Sequence, residues 1–299
     1  MSVQVITADC REALRAMPDE SVHCVVTSPP YFGLRDYGVD GQIGLEPTPD
    51  EFVAAMVEVF HEIRCVLRKD GTCWLNIGDS YFSRTKGTGG SNPETSPMQA
   101  WKGATNGQAL AAPLRIGAGE LPLKQKDLIG IPWRVAFALQ ADGWYLRQDI
   151  IWNKPNPMPE SVRDRCTKAH EYVFMLSKSA RYFYDAAAVQ EGLAVPDPSG
   201  LDAVERGRGR NRRSVWTIAT KPFTEAHFAT FPPDLPEICI KAGCPAGGTV
   251  LDPFGGAGTT GMVADRLGRN AILIELNPEY ADLAGRRVSA DAGMFAEVS

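Results

Sequence analysis

Two short stretches of the chain carry residues whose types and spacing could do chemistry. The first is Ser28-Pro29-Pro30-Tyr31, within "VVTSPPYFGLRDYG". Prolines lack the N–H that a sheet ladder needs, so an apolar strand that runs into two of them must leave the sheet there. Its backbone is then stiff, its carbonyls are free, and an aromatic ring follows. Taken alone, the tetrapeptide is equally a plain strand terminator with a tyrosine capping the core. The second stretch, "TVLDPFGGAGTTG", contains a GxGxxG at Gly256, Gly258 and Gly261, after one apolar run and before a helical one. Glycines let a ligand approach the backbone there, and Glu275, ending the next apolar run, can accept both hydroxyls of a ribose. A glycine loop alone is usually a tight turn. With the strand, the helix and the terminal acid around it, the spacing points to a nucleoside.

Charge narrows the choice of nucleoside. A dinucleotide site would need a second mononucleotide half, which is not expected in the 24 residues after Glu275. Asp252, at the strand end under the loop, would repel a pyrophosphate and attract a cation. S-adenosylmethionine has a cationic sulfonium and ammonium and no phosphate.

These motifs need elements to hold them. Residues 3–7 alternate as a strand, 10–17 read as a short helix stopped by Pro18, and 22–27 as a buried strand. Thr48-Pro49-Asp50-Glu51 supplies a capping box, and the stripe Phe52, Met56, Val59, Phe60, Ile63 and Leu67 carries a helix to about Arg68, released by Asp70-Gly71. A strand is expected at 72–78, a helix at 127–141, a strand at 144–152 and a hairpin from 171–177 with 181–184. Then come a helix at 233–242, a strand at 249–252, a helix at 259–267, a strand at 271–275 and a closing helix at 278–288. Residues 80–126, rich in Gly, Ser, Thr, Asn and Pro, read as an insertion on the working face or as a solvated linker. A second composition shift, 186–221, holds the run "ERGRGRNRR".

Composition sets outer limits. Hydrophobic residues at 44%, charged residues at 22% and a net charge of -5 describe an ordinary globular protein, so any nucleic-acid site must be a local patch. The seven cysteines include no CxxC and no Cys/His cluster at zinc spacing, so no metal is expected. The amino terminus lacks a basic-then-apolar pattern, so no leader is expected, and no apolar run approaches the roughly 20 residues of a membrane span. The expected location is a reducing cytoplasm.

Together, "TSPPY" and "DPFGGAGTTG" resemble the amino-methylating DNA methyltransferases, which act on N4 of cytosine or N6 of adenine. The catalytic motif precedes the cofactor motif, which resembles the permuted order called the beta class. The resemblance continues through "ITADCREAL", "GTCWLNIGDSY", "WNKPNPMPESVRDR", "AHEYVFMLSKSARYFYD" and "HFATFPPDL", over most of the chain. It implies an α/β, Rossmann-like S-adenosylmethionine-dependent methyltransferase fold in permuted order with a small target-recognition insertion. The core would comprise 1–79 (the catalytic half), 127–185 and 222–299 (the cofactor part), interrupted by 80–126 and 186–221 as candidate DNA-contact segments. The resemblance assigns Asp9 to the adenine amino group, Glu275 to the ribose, and Asp252, Phe254, Gly255, Gly256, Gly258 and Thr259 to the methionine side and loop. Phe231 and Pro232 would pack beside the methionine.

The same resemblance gives the first motif its chemistry. An exocyclic amine is a poor nucleophile because its lone pair is delocalised into the ring. Ser28 Oγ and the Pro29 carbonyl would hold its hydrogens, Pro30 would stiffen the turn, and Tyr31 would stack on a base rotated out of double-stranded DNA. Serine at the first position goes in that family mainly with N4-cytosine, and Asp or Asn with N6-adenine. The reading is therefore an N4-cytosine methyltransferase. An N6-adenine enzyme of the same architecture is the alternative, and an RNA or small-amine methylase and a non-catalytic DNA-binding protein are lower-ranked. Arg206, Arg208, Arg210, Arg212 and Arg213 would track phosphates together with Arg35. Lys86, Lys102, Lys154, Arg163 and Arg165 are candidates to join them. A cognate restriction endonuclease is a candidate partner, and either a monomer or a homodimer fits.

Overall fold

Short apolar runs between turn residues become strands here, and the longer striped runs become helices laid across them. The computed structural model describes residues 1–82, 123–192, 209–221 and 231–291, with the backbone of 297–298. Its elements run β1 (Ser2–Thr7), α1 (Cys10–Ala16), β2 (Val22–Thr27), α2 (Pro49–Val66), β3 (Leu67–Ile77), α3 (Ile131–Ala141), β4 (Tyr145–Asn153) and β5 (His170–Ser177). They continue with β6 (Val215–Thr217), α4 (Asp234–Gly243), β7 (Thr249–Asp252), α5 (Thr259–Arg266), β8 (Asn270–Glu275), α6 (Pro278–Asp291) and β9 (Glu297–Val298). The strands form one sheet in the order β6-β4-β5-β3-β2-β7-β8-β1-β9. β5 is antiparallel to β3 and β4, and the remaining pairs are parallel.

A largely parallel sheet must be covered on both faces. On one face Phe52, Met56, Phe60 and Ile63 of α2 pack with Val25, Leu75 and Phe174; on the other, Leu235, Cys239 and Ile240 of α4 pack with Cys24, Trp74 and Val173. From β7 the chain crosses outward to β8, and from β2 it crosses outward in the opposite direction to β3. β2 and β7 lie side by side, so their carboxyl ends form the crevice where open α/β sheets bind ligands. The amino-terminal β1 completes the sheet beside β8, as the permuted order requires.

Four local expectations change. α2 ends at Val66 and β3 begins at Leu67, because Leu67 pairs with Val22 and the register then slips, so Asp70-Gly71 is absorbed as an irregularity within the strand. α3 starts at Ile131, where the Asp79 carboxylate accepts from the Gly130 and Ile131 N–H groups. Residues 181–184 form no hairpin with β5, whose two sides are taken by β3 and β4; the Phe183 N–H donates instead to the Asp70 carbonyl. β6 and β9 are too short to leave a periodic signal, and neither was expected. Phe82 donates to the Asp127 carbonyl and accepts from the Lys126 N–H.

Candidate active site

The glycine loop joins β7 to α5. Its N–H groups are drawn in from both sides: Gly255 donates to the Ile274 carbonyl at 2.8 Å and Gly256 donates to Glu275 Oε2 at 2.8 Å. Gly258 sits at φ +77°, and a Cβ there would come within 3.0 Å of Ala284 Cβ, so only glycine lets α6 pack this closely. Glu275 Oε1 also accepts from the Asn277 N–H, which leaves further lone pairs on the carboxylate for hydroxyl donors. Burial raises its pKa. Phe254 is half-buried at the head of the loop and packs on the α2 side. Thr259 is buried, and its hydroxyl accepts from Arg287 at 2.8 Å. It therefore supports the loop from beneath.

Asp252 is likewise an anchor. It is 2% exposed. Oδ1 accepts from Thr27 Oγ1 at 2.7 Å and from the Phe254 N–H at 3.1 Å, and Oδ2 accepts from Thr260 Oγ1 at 2.7 Å. Burial pushes its pKa up to about 7 against these hydrogen bonds. One carboxylate thus ties the end of β2, the end of β7 and the start of α5 into a junction. Asp9 ends β1 on the same edge. It caps α1 through the Arg11 N–H at 2.8 Å, and the Arg11 guanidinium, gripping both its oxygens, holds its carboxyl below the usual range. Pro232 is buried and Phe231 half-buried ahead of α4.

The residue after Thr27 is Ser28, so the junction places the Ser28–Tyr31 motif beside the glycine loop. Pro29 is buried and Ser28 and Pro30 half-buried; among the described residues no N–H donates to the Pro29 carbonyl. Tyr31 turns inward. Its Oη donates to Glu171 Oε2 at 2.6 Å and lies 3.3 Å from Asn76 Oδ1, while its ring covers Gly78, where a Cβ would meet Tyr31 Cε2 at 2.5 Å. Asn76 Nδ2 donates to Glu171 at 3.1 Å, and Lys154 forms an ion pair with the other Glu171 oxygen. The loop after Tyr31 folds back, with Gly33 N–H donating to the Gly44 carbonyl at 2.8 Å. It brings Tyr37 edge-on to Tyr280 and within electrostatic reach of Glu275.

Glu171, Asn76, Gly78 and Tyr37 were not singled out from the sequence. Each sat unremarked inside a quoted segment, with no local signal of its contact. Lys154, expected near phosphates, is committed to Glu171. Arg165 pairs with Glu160 at 2.7 Å and lies over the Tyr81 ring at 3.9 Å. Arg163 is exposed on the same loop, which leaves β4 and re-enters at β5 on the edge that carries Ser28.

The arginine run behaves otherwise. Arg210 and Arg213 pair with Glu191 at 3.4 and 3.3 Å, and Arg212 Nε donates to the Val189 carbonyl at 3.0 Å. All three precede β6, which is parallel to β4, so they enter from the edge opposite Ser28. Their charge braces a loop. Arg206, Arg208, Lys86 and Lys102 lie outside the described residues; Arg35 lies in the loop beside Tyr37.

Comparison with known proteins places the chain in a family. A family model described as DNA methylase, covering the N6 and N4 methyltransferases, matches residues 22–286. The Type II methyltransferase M.SmaI of Serratia marcescens is 48% identical over 290 residues, 96% of this chain and 91% of that protein. M.Cfr9I of Citrobacter freundii is 50% identical over 283 residues, 95% and 86% respectively. The solved PvuII DNA methyltransferase, cytosine-N4-specific, superposes with a TM-score of 0.66 at 21% identity over 97% of this chain and 91% of its own. A Thermus thermophilus protein, described as a DNA modification methylase and solved in complex with S-adenosyl-L-methionine, gives 0.63 at 24% identity over 100% and 98%. The chain belongs to the DNA methylase family of N6 and N4 methyltransferases.

Proposed function

We propose that the protein transfers a methyl group from S-adenosylmethionine to the N4 amine of a cytosine turned out of double-stranded DNA. The observation that carries this reading is the Thr27–Asp252–Thr260 junction, which fixes Ser28 and the Pro29 carbonyl beside the glycine loop at the switch point of the sheet. The residues fit a cationic nucleoside. Asp252 is a buried carboxylate whose hydrogen-bond partners are all neutral, and Glu275 retains acceptor capacity toward ribose hydroxyls. Bound there, the cofactor supplies an electrophilic methyl on sulfur. Ser28 Oγ and the Pro29 carbonyl accept the two hydrogens of the amine, localise its lone pair and aim it at that methyl, so alignment and exclusion of water carry the catalysis.

Serine at position 28 favours cytosine, and a solved protein of the same fold bears the cytosine-N4-specific name. N6-adenine is the rival product. Nucleoside mass spectrometry of mixed-sequence duplex DNA after incubation with the protein decides it: N4-methylcytosine supports the reading, and N6-methyladenine refutes it. Arg163, Arg165 and Tyr81, on the Ser28 edge, are the better-placed candidates for DNA contact, ahead of Arg210, Arg212 and Arg213. The relatives are Type II methyltransferases, which is why a cognate restriction endonuclease is the partner to seek. No helix among the described residues is long and apolar enough to cross a membrane, and a cytoplasmic location accords with seven unpaired cysteines.

A further inference from the structure

The loop from β4 to β5 holds one arginine in a fixed pose. Arg165 Nη1 donates to Glu160 Oε2 at 2.7 Å and to the Cys166 carbonyl at 3.0 Å, which takes both of its hydrogens. Glu160 Oε2 also accepts from the Lys168 N–H at 3.2 Å, and the guanidinium beside it keeps the Glu160 carboxyl below its usual range. On its face the guanidinium lies over the Tyr81 ring, with its carbon 3.9 Å from the ring centre, and Tyr81 is bridged to Leu128. The loop itself is tied to the end of β3, where Lys168 Nζ donates to the Asp79 carbonyl at 2.9 Å. One nitrogen and one face are thus occupied. Among the described residues Nε and Nη2 have no partner.

Two kinds of DNA contact suit such an edge. A phosphate is drawn by charge, but the charge of Arg165 is already answered by Glu160; Arg163, exposed two positions earlier, serves a phosphate better. What Nε and Nη2 retain is direction, as two parallel donors in one plane. In the major groove guanine alone sets two acceptors, O6 and N7, side by side. Adenine puts a donor beside its N7, thymine a methyl beside its single acceptor, and cytosine a donor. We propose that Arg165 is a specificity-determining residue that reads O6 and N7 of a guanine flanking the target base, with Glu160 and Tyr81 holding its fork in place. The inference rests on the reading that DNA lies along the Ser28 edge.

Duplexes carrying 7-deazaguanine test it, because that base pairs as guanine does but lacks the N7 acceptor. The recognised sequence is mapped on mixed-sequence DNA, each of its guanines is replaced singly, and kcat/KM is measured with labelled S-adenosylmethionine. At one position the replacement is expected to cost the parent protein about five-fold or more. The same replacement should cost Arg165→Ala less than about two-fold, and Arg165→Ala should lose about ten-fold or more on the unmodified duplex. Should the alanine variant not fold, Arg165→Gln, which leaves Glu160 a donor, takes its place with the same expectations. A recognised sequence without guanine, a parent protein indifferent to every replacement, or equal sensitivity in parent and variant, as for a phosphate contact, overturns the proposal. Unchanged DNA affinity in both Arg163→Ala and Arg165→Ala would overturn the placement of DNA on this edge, and the proposal with it.

Discussion

The two halves of the site are built in opposite ways. The cofactor half closes on itself within a short span of chain: Gly256 reaches Glu275, Gly255 reaches Ile274, and Thr260 reaches Asp252. The catalytic half is assembled from afar, with Tyr31 bonded to Glu171 across 140 positions and Thr27 to Asp252 across 225. A local motif can announce itself in a string of letters, because its partners share one βαβ unit. A pocket whose walls come from three strands and a returning loop cannot.

The contrast can be broken from either side. The largest effects should come from the catalytic half: Pro29→Ala or Tyr31→Ala should lower turnover by about 100-fold or more with cofactor affinity by calorimetry largely kept. Gly78→Ala, whose Cβ would press into the Tyr31 ring, should act in the same direction. Unchanged turnover in these variants would remove Tyr31 from the site. Gly258→Ala should do the reverse. At φ +77°, against Ala284, the substitution should destabilise the fold by about 1–2 kcal/mol and weaken S-adenosylmethionine binding. Retained affinity would show that the loop's shape is not what the cofactor reads.

Asp252 lies between the halves, and Asp252→Ala should weaken both cofactor affinity and stability. Leaving Thr27, Thr260 and the Phe254 N–H without their acceptor should cost about 1–3 kcal/mol. Its pKa, raised from 3.8 to about 7, has a signed consequence. The folded protein holds a proton that the unfolded chain has released, so this contribution is full below about pH 4 and is lost as pH rises through about 7. Urea midpoints for Asp252→Asn should therefore vary less over that window than those of the parent protein; parallel profiles would contradict it. The smallest effects distinguish the two basic clusters. Arg163→Ala should weaken DNA binding a few-fold and reduce its salt slope by about one. Arg213→Ala should leave DNA affinity unchanged and shift stability by less than about 1 kcal/mol, as fluorescence anisotropy and urea titration would show.

The charge run shows most plainly why the rest was illegible. Five arginines within eight positions look like a phosphate track, yet the three described ones serve Glu191 and the Val189 carbonyl. Charge in a sequence has no direction until its partner is placed. The start of α3 teaches the same lesson: a helix was expected from residue 127, but it begins at Ile131, where Asp79, delivered by the end of β3, bonds the Gly130 and Ile131 N–H groups. Where recognition succeeded, as with the capping box at Thr48 and Glu51, every partner lay within one turn.

By itself the sequence determined the order of the longer strands and helices, the glycine loop with its terminal acid, the proline-stiffened turn, and through the order of these motifs the permuted α/β sheet. These depend on periodicity and on the backbone limits of Gly and Pro, which act over a few residues. Only the tertiary structure decided that Asp252 joins the two motifs, that Tyr31 faces Glu171 over Gly78, and that Arg210, Arg212 and Arg213 lie away from Ser28. Those outcomes depend on which buried polar atoms meet, and a buried polar group takes whichever partner the completed sheet brings within reach.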